Sequence, residues 1–78
     1  MSPTIQSGAI GPPIPLRDAL EHYNLKQNQL IKGQTDAQEL LELQEKTEDI
    51  ADEFGIYIMW FGNYVGLYGR FNGVFRFK

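Results

Sequence analysis

The side chains of this chain that can carry chemistry are few and unevenly placed. There is one histidine, His22, and no cysteine. Missing thiols remove thiolate zinc sites, thiol nucleophiles and disulfide staples, and a lone imidazole removes any metal site that needs two. The serines, Ser2 and Ser7, sit in a proline-rich lead with no base beside them, so a hydroxyl nucleophile lacks an activator. No phosphate loop, dinucleotide fingerprint, nucleophile elbow or zinc-protease motif occurs. Paired carboxylates for glycoside chemistry must face each other across a cleft, whereas here nearly all acids ride one segment. The expectation is a protein that is not an enzyme and has no metal or cofactor.

Two constellations remain. Residues 36–54 hold eight carboxylates against Lys46 alone, and Glu39, Glu42, Glu45, Asp49 and Asp52 recur at spacings of 3, 3, 4 and 3. On a helix such spacing gives an acidic row, which solvates the element and, in a sharper reading, imitates a line of phosphates. Residues 55–78 hold Arg70, Arg76 and Lys78, no acid, and most of the aromatic residues. Aromatics beside arginines suit a protein interface or the stacking of unpaired bases.

The elements that must position these residues are legible. Residues 1–15 contain all four prolines and no periodicity, and they read as an extended arm before one small domain over 16–78. Pro15 suits a helix start; Leu16, Ala19, Leu20, Tyr23, Gln27, Leu30 and Ile31 form an apolar stripe ending at Gly33, with Asn24 a point of interruption. Thr35-Asp36-Ala37-Gln38 reads as a capping box with Thr35 as the cap, opening a second helix with a seam at Leu40, Leu43, Thr47, Ile50 and Phe54. The short link between the helices favours an antiparallel pair. After Gly55 the period falls to two. Residues 56–61, 64–71 and 74–78 are rich in aromatic and β-branched types and are divided by Gly62-Asn63 and Asn72-Gly73, which predicts a three-stranded meander. The fold class is therefore α+β.

Two-residue turns fix the pairing, and so the faces. One face collects Ile56, Ile58, Trp60, Val65, Leu67, Phe71 and Val74, with Arg76 and Lys78 at its edge; the other collects Tyr57, Met59, Phe61, Tyr64, Tyr68, Arg70, Phe75 and Phe77. Both are apolar, unlike a sheet with one solvated side. The helices can shelter only one, and the aliphatic face matches their seam. The second face is expected to bind something: the arm through Ile5, Ile10 and Ile14, a second copy of the chain, or another protein.

The expectation for function is a small non-enzymatic protein-binding module, a homo-oligomer or an accessory or inhibitory subunit of a larger assembly, working through the aromatic face and the acidic helix. Such small acidic proteins suit a virus or mobile element. The alternatives are a single-stranded nucleic-acid binder and a phosphate-mimic inhibitor. Net charge is −3, and a second helix carrying eight acids repels DNA, so a helix-turn-helix reader is excluded on sign. Pro12-Pro13-Ile14-Pro15-Leu16-Arg17 matches a groove-binding polyproline pattern but reads as a linker. No segment has the apolar length of a membrane span or the start of a signal peptide, so the cytoplasm is the expected compartment.

Overall fold

Two helices and three strands follow one another: α1, Ile14–Ile31; α2, Ala37–Glu53; β1, Ile56–Trp60; β2, Tyr64–Gly69; and β3, Gly73–Arg76. They belong to a computed structural model that describes residues 11–77. The arrangement is α+β as expected, a helix hairpin followed by an antiparallel meander in the order β1-β2-β3. Most of the arm expected over residues 1–15, with Ile5 and Ile10, lies outside the described residues. Its last two residues, Ile14 and Pro15, are helical, because a proline in the first turn loses no internal hydrogen bond there. Leu16 is fully buried and Arg17 donates its N–H to Pro13 O at 2.9 Å, so the motif is helical from Ile14 on, Pro12 and Pro13 lead into the helix, and the six residues do not form an extended ligand.

Both helix ends follow from local chemistry. α1 runs through Asn24 without a break and ends on Gly33 at φ 75°, where the N–H groups of Gly33 and Gln34 donate to Leu30 O and Gln29 O in a Schellman closure. The cap of α2 is Asp36, one residue later than Thr35: its carboxylate accepts from the Glu39 N–H at 3.0 Å. Glu39 then serves as the third-position acid of the box and takes the Thr35 hydroxyl instead of a backbone N–H. Gly55 at φ 71° closes α2.

The core is Leu16 and Leu20 of α1, Ala51 of α2, and Ile56, Val65 and Leu67 of the sheet, with Ile50, Ile58, Trp60, Phe71, Phe75 and Phe77 packed around it. Thr47 is buried at the centre of the α2 seam, and its hydroxyl is satisfied by Leu43 O at 2.7 Å. Tyr23 places its ring 4.8 Å from Trp60 and 5.4 Å from Phe77, which ties α1 across the sheet. Burial raises the Tyr23 phenol above its ordinary pKa. Trp60 Nε1 donates to Glu48 Oε2 at 2.6 Å and so anchors α2 to β1.

The β1–β2 pairing is the one the turn dictates, with Tyr57 opposite Tyr68, Ile58 opposite Leu67 and Trp60 opposite Val65. The β2–β3 pairing is not. Val74 lies opposite Gly66 rather than Phe71, a slip of five residues. Asn72-Gly73 does not form a primed turn, since Gly73 lacks positive φ. Gly69, at φ 116°, turns the chain instead, and the Asn72 side chain accepts from Gly69 N–H and donates to Gly69 O, closing the loop as a backbone partner would. An odd slip exchanges the two faces of β3. It takes the Arg76 guanidinium out of the core side, where burial of an unpaired charge is costly, and turns Phe75 and Phe77 inward, where they are half-buried against the core.

Candidate functional site

The outer face of the sheet assembles from the cross-strand pairs. Met59, Gly66 and Val74 form its middle row, with Tyr57–Tyr68 on one side and Phe61, Tyr64 and Arg76 on the other. Arg70 donates its N–H to Gly55 O and ends the series, its side-chain carbons lying over Gly55. Six of the eight side chains expected on this face are therefore together: Tyr57, Met59, Phe61, Tyr64, Tyr68 and Arg70. Phe75 and Phe77 are not; the slip turns them inward, where their rings meet at 5.9 Å. Val74 and Arg76 take their place. The signal for this was present in the sequence, because the two-residue turn buried a charge that a longer loop releases.

Part of the face shields itself. The Tyr68 ring lies across Gly66, close enough that a Cβ there would meet its hydroxyl at 2.9 Å, and Phe61 stacks on Tyr64 at 4.6 Å and 13°. What is left is still substantial. With an aromatic side chain at about 150–250 Å², the exposures of Tyr57 (75%), Met59 (52%), Phe61 (40%), Tyr68 (48%) and Val74 (62%) leave roughly 500 Å² of apolar surface on one side. That is within the range of the largest patch on a monomer, which is often functional. None of the described residues covers it.

The acidic residues do not form one line. Glu39, Glu42, Glu45, Asp49 and Asp52 are all exposed. At about 100° per residue, however, their spacing rotates the row by about 140° between its ends. At one end Glu39 meets Lys26 at 3.6 Å and, with Glu42, borders a hollow beside His22 and Lys46. At the other end Asp49 and Asp52, with Glu48, flank β1. Among the described residues no group of three His, Asp or Glu side chains converges to hold a metal ion, and no helix is long and apolar enough to cross a membrane.

Fold and face together define a helix hairpin backing a small meander whose aromatic side none of the described residues covers. No protein-family model, curated protein or solved structure matches the chain.

Proposed function

We propose that this chain is a non-enzymatic protein-binding module that self-associates through the outer face of its sheet. The observation that carries the reading is the contiguity of Tyr57, Met59, Tyr68 and Val74 in register, exposed while the opposite face fills the core. Tyr, Phe, Met and Arg are the types enriched at interface centres, and this face carries no acid. Two copies meeting face to face cover about 1,000 Å², the lower bound for a specific interface, so the dimer is weak and dissociates on dilution. The acids of residues 36–54 ride on or beside α2, which packs against the other side of the sheet, and only Glu48, Asp49 and Asp52 share a groove with Tyr57 at its edge; the charge keeps the assembly soluble. A light-scattering dilution series tests this: the mass should fall from twice 8.9 kDa toward 8.9 kDa. A mass fixed at the monomer value at every concentration removes self-association.

A second reading draws on Arg70 and Arg76, which sit at opposite ends of a face bearing Tyr57, Tyr64 and Tyr68. Flat rings between cations suit single-stranded nucleic acid. Binding of an oligonucleotide that falls steeply with added salt supports it, and salt-insensitive dimerisation without such binding rules it out.

A further inference from the structure

The structure assigns a second binding surface at the free edge of β1, and we propose that it takes an extended, basic peptide segment of another protein as a fourth strand. Phe61 N–H donates to Tyr64 O and Arg70 N–H donates to Gly55 O. Hydrogen-bonded pairs alternate in an antiparallel ladder, so Tyr57 and Met59 also face β2, and the N–H and C=O groups of Ile56, Ile58 and Trp60 point away from it. None of these outward groups has a backbone partner among the described residues. Beside them runs an open groove of about 300 Å³ lined by Glu48, Asp49 and Asp52 of α2 and by Ile56, Tyr57 and Ile58. Three consecutive strand residues, whose side chains alternate faces, line one groove only through the strand's edge.

The two walls state what fits. An incoming strand satisfies the free backbone groups of β1, as in other strand-addition complexes. Its inward side chains meet Asp49 and Asp52, which form no ion pair among the described residues, while Glu48 is held by Trp60. Its outward side chains extend the apolar row of Tyr57 and Met59. The occupant is thus a segment in which Lys or Arg alternates with apolar residues. A second β1 is disfavoured, because antiparallel pairing about a two-fold axis brings two acidic walls together.

The test uses the full chain and a short capped peptide of alternating lysine and valine. Titration should give saturable binding, with amide exchange at Ile58 and Trp60 slowed at least about tenfold. Two N-methylated versions, one blocked at the valine amides and one at the lysine amides, separate strand addition from charge attraction. One should lose binding by at least about tenfold and the other should keep it, since only one set of amides faces β1. The exposed double variant Asp49→Lys/Asp52→Lys should bind the lysine peptide at least about tenfold more weakly and gain a glutamate–valine counterpart. Equal loss from both methylated peptides, no response to the charge swap, or Ile58 and Trp60 amides already protected in the free chain each overturns the proposal.

Discussion

Truncating Tyr57 to alanine separates assembly from folding. The ring is 75% exposed, and Tyr57 lies opposite Tyr68 in the strand register. Removing it should cost the monomer less than about 1 kcal/mol, the value of one such pair. In the dimer the balance is different. Covering a ring this exposed removes about 100–150 Å² from water, or about 3 kcal/mol at 25 cal/mol/Å². Fixing the side chain takes back about 1 kcal/mol. A two-fold interface contains two copies, so the variant loses about 4 kcal/mol, close to a thousandfold in the dimer dissociation constant. Sedimentation equilibrium across a concentration series measures the shift, and thermal unfolding at the lowest concentration reports the monomer. A dissociation constant within threefold of the parent, with the fold intact, refutes the reasoning.

Three further predictions concern the scaffold. Asn24 carries a buried side-chain oxygen with no partner, so Asn24→Leu should stabilise the fold by about 1 kcal/mol in denaturant unfolding, and a loss of stability would contradict the assignment. At Gly69 a Cβ would stand 2.4 Å from Gly55 O on a backbone at φ 116°; Gly69→Ala should lower Tm by about 10 °C or more, while Gly62→Ala, with open space around it, should change it little. Because burial raises the Tyr23 pKa, the neutral phenol favours the folded state. Its stabilisation is complete below the unfolded value near 10 and fades as pH rises above it, so Tyr23→Phe should flatten the alkaline limb of a Tm-against-pH curve.

The helices and the first hairpin are legible because local signals agree there: an apolar stripe ending in glycine, a capping-box pattern, and a link too short for any other pairing. The cap moved from Thr35 to Asp36 because both residues can accept a backbone N–H and only the distance to Glu39 decides between them. The second hairpin departs from its turn pattern for a tertiary reason. Asn72 and Gly73 have the composition of a tight turn, but such a turn places Arg76 inward and leaves Phe75 and Phe77 in water. Using the Asn72 side chain as a bridge lets the sheet slip by five and reverses that outcome. The β1 and β2 residues accordingly share the outer face as the register predicts, whereas Phe75 of β3 and Phe77 just beyond it turn to the other side. The acidic row was visible as a spacing, but its rotation around α2, which sends Glu39 toward α1 and Asp52 toward β1, emerges only when the neighbouring elements are in place.

We propose the outer side of the sheet as an interface between copies of this chain. An isotope-filtered nuclear Overhauser experiment on an equal mixture of labelled and unlabelled protein tests it most directly. Cross-peaks between copies should appear at Tyr57, Met59, Tyr68 and Val74 and be absent from Leu25 and Leu41 on the helices. Contacts between copies confined to the helices, or none at a concentration where the mass is dimeric, would contradict it.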